Sequence, residues 1–223
     1  RRQRQMCIRD RRITGRYDLG EADLIIDHVQ SDPYAPPSSL RLAVSLADCA
    51  VPGELTRTRA QRTAVADFLA RDLHSRLHRA SRDLRLSAPG QEVLERSSVV
   101  LLGEADGPAE TIEVRFNAAL PAAGRRIKGR AAARLLTGDL PEAVRASALF
   151  AGMDEAALRE HVRLHLDQLA LRDGLRERGL VAFVGDGAVL PRSSGVSDEP
   201  LPDAVAFRFP DSLRVGFELP SGR

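Results

Sequence analysis

From Ala22 the run ADLIIDHV is short, apolar and rich in branched side chains, and SLRLAVSL over 39–46 alternates Leu40, Leu42, Val44 and Leu46 with Arg41 and Ser45. A period of two predicts strands with one covered face. Their connection, QSDPYAPPSS, holds three prolines and predicts an extended, turn-rich loop. The period then changes. From Thr58 to Ser81, Val65, Phe68, Leu69, Leu73 and Leu77 recur at helical spacing, with arginines, Asp67 and Asp72 on the remaining positions. That pattern predicts an amphipathic helix of about six turns lying on the sheet by its apolar stripe.

Beyond a Pro89-Gly90 turn, Ser98–Leu102 and Thr111–Phe116 read as a hairpin, the second strand setting Ile112, Val114 and Phe116 against Glu113 and Arg115. A helical stretch over Arg130–Leu136 is expected to break at Gly138 and restart after Pro141. The strongest helix is Asp154–Arg178, capped by Asp154, ended by Gly179, with Leu158, Val162, Leu166, Leu169 and Leu175 as its stripe. The tail predicts four more strands, Leu180–Val184, Ala188–Leu190, Val205–Phe209 and Leu213–Leu219, the first two joined tightly by Gly185-Asp186-Gly187. The expected fold class is α+β, a mostly antiparallel sheet with two long amphipathic helices. Gly195–Asp203, with two prolines, is the expected domain boundary.

Composition alters this picture at one end only. The 223 residues carry a formal charge of +2, and all of their 33 basic residues except Lys128 are arginines. Arg1, Arg2, Arg4, Arg9, Arg11 and Asp10 crowd the first eleven positions, and the remainder is slightly acidic. The excess of positive charge is therefore a terminal effect and does not argue for a nucleic-acid partner. RRQRQMCIRDR has no period and no turn chemistry; residues 1–11 read as translated sequencing adapter, a processing scar on a fragment, with a natural basic arm as the alternative. Two cysteines, Cys7 and Cys49, build no disulfide framework, so a reducing, cytoplasmic setting is expected. No apolar run approaches the roughly 18 residues of a membrane span.

Several chemistries are excluded or left weak. Lys128 is followed by Gly129, so these residues hold no G-x-x-x-x-G-K-[ST] loop to cradle phosphates. His74/His78 and His161/His165 have the four-residue spacing of a shared metal but neither the glutamate nor the third ligand of a zinc protease, and no metal is expected. No G-x-S-x-G elbow occurs. Two segments join turn chemistry to positive charge. LPAAGRRIKGR, with Arg125, Arg126, Lys128 and Arg130 at the start of a helical stretch, would attract phosphate; the alternative is a solvated loop. GAVLPRSSGV offers Arg192, Ser193, Ser194 and Gly195, or else a plain turn. DHVQSDP places Asp27, His28, Gln30 and Asp32 at a strand end, as a polar cluster or a capped turn.

Five phrases taken in order, YDLGEADLIIDHVQSDPYAPPSSLRL, PGQEVLERSSV, VRFNAALPAAGRRIKG, LRDGLRERGLVAFVGDGAVLPRSSGVSDEPL and FRFPDSLRVGFELP, make Arg12–Gly222 resemble the N-terminal region of the predicted ATPases of the ABC class. The chain departs from that family in a shorter Ala80–Ala88 stretch and in Leu166 of His165-Leu166-Asp167-Gln168. The resemblance implies an N-terminal domain over 12–196 and, over 197–223, a linker and the first strands of an ABC-type core whose P-loop follows. It implies no catalytic residue in this fragment, which alone would be inactive, and ATP with Mg²⁺ in the full-length protein. Phe207, Phe209 or Phe217 would stack on adenine, the alternative for all three being core packing, and GAVLPRSSGV would lie beside the nucleotide. The implied partners are the ATPase core of the same chain, RNA, and a second copy if the domain is a dimerisation scaffold.

Overall fold

The computed structural model describes residues 13–31, 34–104, 107–120, 122–123 and 126–222. Two alternating segments form the centre of its sheet. β3 (Ser38–Ser45) pairs antiparallel with β6 (Ala109–Ala118) along its whole length, bringing Leu40 to Phe116, Leu42 to Val114 and Val44 to Ile112. These six side chains share one face and are all buried. Beyond β3 lie β2 (Asp23–His28) and β1 (Gly15–Asp18). The other edge of β6 is shared by β5 (Val99–Gly103) over its first half and β4 (Leu84–Arg85) at its end. Every strand pairing among the described residues is antiparallel, and the expected α+β class is the one the chain adopts.

The predicted β5–β6 hairpin forms, with a register shift at Leu102/Gly103. A Cβ at Gly103 would stand 2.7 Å from the Pro108 carbonyl oxygen, so only glycine admits this backbone approach.

α1 (Arg59–Ala80) begins with a reciprocal cap: the Thr58 hydroxyl accepts from the Gln61 N–H, and the Gln61 side-chain carbonyl accepts from the Thr58 N–H. Val65, Leu69, Leu73 and Leu77 then recur every four residues and are fully buried where α1 packs on β4 and β5. Each such burial contributes roughly 1.5–3 kcal/mol. Asp67, expected on the polar side, is instead completely buried. It accepts from Arg71 at 2.6 Å and from Arg96 at 3.2 Å, and His161 Nε2 lies 3.3 Å away.

The short strands β7 (Ala122–Ala123) and β8 (Arg126–Ile127) pair with each other and lead into α2 (Gly129–Arg134). The expected break at Gly138 does not occur. Leu135–Asp139 form a π-turn that continues directly into α3 (Leu140–Arg145). Continuity keeps Leu136 and Leu140 both fully buried, which outweighs the ~1 kcal/mol glycine penalty, and Pro141, which has no N–H to donate, falls directly after the π-turn as the second residue of α3.

α4 (Glu155–Glu177) starts with the Asp154 carboxylate accepting from the Ala157 N–H and ends at Gly179, whose φ of +66° suits a residue without a Cβ. Leu158 and Val162 are buried, while Leu166, Leu169 and Leu175 are half-buried.

By internal contacts the chain divides into a unit of Arg1–Pro89 with Val93–His161 and a unit of Gly90–Glu92 with Val162–Arg223. The second unit corrects the tail prediction: among its described residues no multi-residue strand forms at Leu180–Val184, Ala188–Leu190, Val205–Phe209 or Leu213–Leu219. The Gly185–Gly187 turn is present, but the segment after it pairs with Phe207, the Gly187 N–H donating to the Phe207 carbonyl and the Phe207 N–H to the Ala188 carbonyl, so no 180–190 hairpin closes. A single bridge, Arg192 with Pro200, is the other strand-like contact. Pro191, Pro200, Pro202, Pro210 and Pro220 each remove a ladder donor, and Val181 and Val205 remain exposed, so propensity finds neither a ladder nor a covered face.

Candidate functional site

In the first unit the uncovered face of the sheet carries a polar lattice set by strand register. One row across it runs His28, Ser39, Asn117, Arg85; the next runs Ile25, Arg41, Arg115, with Ser98 beside Arg115 through the Arg115 N–H to Ser98 C=O bond. The register irregularity between Ile26 and His28 lets Asp27 meet Arg41. Arg41 donates Nε and Nη2 to Asp27, both at 2.7 Å, and Nη1 to Glu113 at 2.8 Å; Glu113 also accepts from Arg115 Nε at 2.7 Å. Two arginines that oppose each other directly are thus bridged by one carboxylate, Glu113, while Asp27 takes the other side of Arg41.

Those bonds set the charges. The Arg41 hydrogen bonds hold the Asp27 carboxyl below its usual range. Burial pushes Glu113 up, but Arg115 and Arg41 outweigh it and its pKa is lowered. The bonds to Asp27 and Glu113 raise Arg41 further. Above and around the lattice lies a cleft of about 530 Å³, lined by Asp27, Ser39, Arg41, Arg85, Ser98 and Arg115 among others. Arg41, Arg85, Arg115 and Ser98 stand in no motif that marks them in the sequence. The one signal was that Arg41 and Arg115 occupy polar positions of two alternating strands, and it becomes informative only with the register.

The second unit holds an aromatic pocket of about 380 Å³ lined by Phe183, Phe209, Phe217, Asp186 and Arg214, with α4 contributing Leu175. The Arg178 guanidinium lies 4.2 Å over the Phe217 ring and donates to the Gly216 carbonyl. Phe183 meets Phe217 edge-on at 6.5 Å. A Cβ on Gly174 would stand 3.1 Å from Phe217, so this glycine lets the ring close onto α4. Asp186 accepts from the Phe209 N–H at 2.9 Å and pairs with Arg214 at 2.7 Å. Phe207 packs edge-on against Phe209.

The residues singled out from sequence are distributed as follows. Asp27 joins the lattice and His28 is exposed on the same face. Gln30 is a buried staple: its N–H donates to the Ser38 hydroxyl and its side-chain carbonyl accepts from the Leu120 N–H. Asp32 and Arg125 fall outside the described residues. Arg126 lies in β8, Lys128 is the exposed residue preceding α2, and Arg130 is exposed in its first turn, so the basic cluster spans a hairpin strand, a cap and one helical turn. Arg192, Ser193, Ser194 and Gly195 are exposed on a turn where Arg192 lies 3.8 Å from Asp198 and the Ser193 N–H donates to Glu199. They line neither cleft described above.

Of the paired histidines, His74 donates from Nδ1 to the Leu86 carbonyl and stacks on His78, while His161 meets Asp67 and His165 is buried. No group of three metal-ligating side chains occurs among the described residues, and no described helix is long and apolar enough to cross a membrane.

No curated protein matches the chain. Two family models do: a P-loop domain model of ABC ATPases over residues 154–223, and a model described as ATPase of the ABC class N-terminal over residues 11–151. The second spans more than half of the sequence, and with the five ordered phrases it gives the conclusion that this chain belongs to the ABC-class ATPase family, of which it carries the N-terminal region.

Proposed function

We propose that the chain is an accessory region that helps to form the nucleotide site of an ABC-class ATPase by supplying the pocket for the adenine ring. The observation that carries this reading is the convergence of Phe183, Phe209 and Phe217 on one pocket, inside the stretch matched by the P-loop domain model. Its volume falls in the range of small-molecule sites, roughly 300–1,000 Å³. Arg178 and Phe183 fix the Phe217 ring as a stacking surface, and the Asp186 carboxylate in the same lining suits the amino group of adenine. ATP phosphates and Mg²⁺ would be held by a Walker A loop, which these 223 residues do not contain, so the chain alone performs no hydrolysis. A cytoplasmic ATPase is the setting this reading assumes.

The test is a titration of the chain with adenosine diphosphate followed by amide chemical shifts. Weak binding centred on residues 183–186 and 209–217, lost in Phe217→Ala, is the expected result. Unchanged ADP binding in a folded Phe217→Ala variant refutes it.

A second reading, an RNA-binding module, rests on the exposed Lys128 and Arg130 of the basic segment that also contains Arg125 and Arg126. It needs a backbone-tracking surface, whose signature is salt dependence.

A further inference from the structure

We propose that the cleft on the uncovered sheet face of the first unit is a binding site for a phosphorylated sugar. The proposal is independent of the aromatic pocket and uses none of its residues. Three observations converge on it.

The first is cationic capacity that the fold does not consume. Arg41 is fully engaged by Asp27 and Glu113, but Arg115 uses only its Nε, leaving both terminal nitrogens without a partner among the described residues. Arg85, exposed and one row away across Asn117, pairs with no described acid. Arg41, Arg85 and Arg115 against Asp27 and Glu113 leave the lining with a net positive charge. Because Glu113 holds Arg115 at its Nε, the outer edge of that guanidinium is a pre-aimed fork, the geometry that binds phosphate oxygens in pairs.

The second is an unanswered buried hydroxyl. Ser98 lines the cleft beside Arg115, is only 7% exposed, and its Oγ has no hydrogen-bond partner among the described residues. Buried polar groups are normally satisfied, so one left open at the wall of a cleft marks where a ligand atom belongs.

The third is the rest of the lining. Ser39, Ser87, Ser97 and Asn117 add hydroxyl and amide groups, whereas the only aromatic residue there, Phe116, has its ring buried on the opposite side of the sheet at 3% exposure. His28, exposed on the same face, is not part of the lining, so among the described residues the cleft itself offers no ring for the stacking by which single-stranded nucleic acid is largely held. Hydrogen-bonding groups around a guanidinium fork suit a hydroxylated body with a phosphate monoester. The cleft, at about 530 Å³, is much larger than a phosphate ion alone requires.

The experiment titrates the chain with ribose 5-phosphate, ribose, inorganic phosphate and a single-stranded RNA, following amide shifts. Ribose 5-phosphate is expected to bind most tightly, with shifts at Arg85, Ser97, Ser98, Arg115 and Asn117. Arg85→Gln, which breaks no ion pair, should weaken it by roughly tenfold or more, and Arg115→Gln should do the same. If Arg115→Gln fails to fold, Arg85→Gln alone decides. Equal affinity in Arg85→Gln, inorganic phosphate binding as tightly as ribose 5-phosphate, or RNA occupying these residues without being displaced by it would each overturn the proposal.

Discussion

The buried carboxylate of Asp67 allows a quantitative test of what ties α1 to the segments around it. Its side chain is 0% exposed, while Arg71, Arg96 and His161 around it keep 37%, 20% and 22% of theirs. Asp67→Asn preserves volume but removes the charge that both guanidiniums face. Breaking a fully buried pair costs about 3–5 kcal/mol. Here the arginines keep part of their exposure to water, so a loss of about 2–3 kcal/mol is expected. For a domain of this size that corresponds to a fall in Tm of roughly 5–10 °C. Differential scanning calorimetry measures it, with Glu95→Gln as control: Arg59 and Glu95 are solvent-exposed, and their pairing should leave Tm unchanged.

pH supplies the second arm. Burial raises the Asp67 pKa, but His161, Arg71 and Arg96 outweigh it and the folded value is depressed. A depressed carboxylate stabilises fully above its unfolded pKa of about 3.9, and the stabilisation is lost as pH falls through the lower folded value. The wild type and Asp67→Asn should therefore converge in stability as the pH drops below about 4. A variant that melts with the wild type at neutral pH, or a gap that stays constant into acid, refutes the reasoning.

Two further outcomes follow from named contacts. Gln30→Ala should cost about 1–3 kcal/mol in chemical denaturation with an unchanged m-value, because the buried Leu120 N–H loses its acceptor; wild-type stability would show that Gln30 is no staple. If the basic segment tracks single-stranded RNA, log affinity against log salt should fall with a slope of about −0.7 per phosphate neutralised, and Lys128→Gln with Arg130→Gln should flatten it; a slope unaffected by both substitutions removes the RNA reading.

Elements whose partners are implied by their own pattern were legible from the residues alone. Leu40, Leu42 and Val44 need a facing apolar row, Ile112, Val114 and Phe116 supply it, and the i, i+4 stripe of α1 needs a surface to cover. Asp67 was misread because a carboxylate beside an apolar stripe looks solvated until Arg96 and His161, 29 and 94 positions away, are brought to it. The tail shows the opposite error: Val205–Phe209 has strand composition, yet composition does not provide a ladder. Of the candidate sites, Phe209 and Phe217 were visible as aromatic residues of the segment that resembles the start of an ABC-type core, whereas the Arg85–Arg115–Ser98 cleft is assembled from separate parts of the sheet by register alone.

The run Asp27–Arg41–Glu113–Arg115 also governs how this surface can change over generations. Each interior member answers to two neighbours, so single replacements strand a charge while paired replacements do not. Effects within such a chain are non-additive, unlike those at well-separated sites. The four positions, drawn from three strands, should therefore drift together: loss of Glu113 is tolerable chiefly where Arg41 or Arg115 has already gone. A lineage that loses Glu113 first must pass through an intermediate with two arginines directly opposed, or change both partners, which makes the polar face slower to alter than its solvent exposure would lead one to expect.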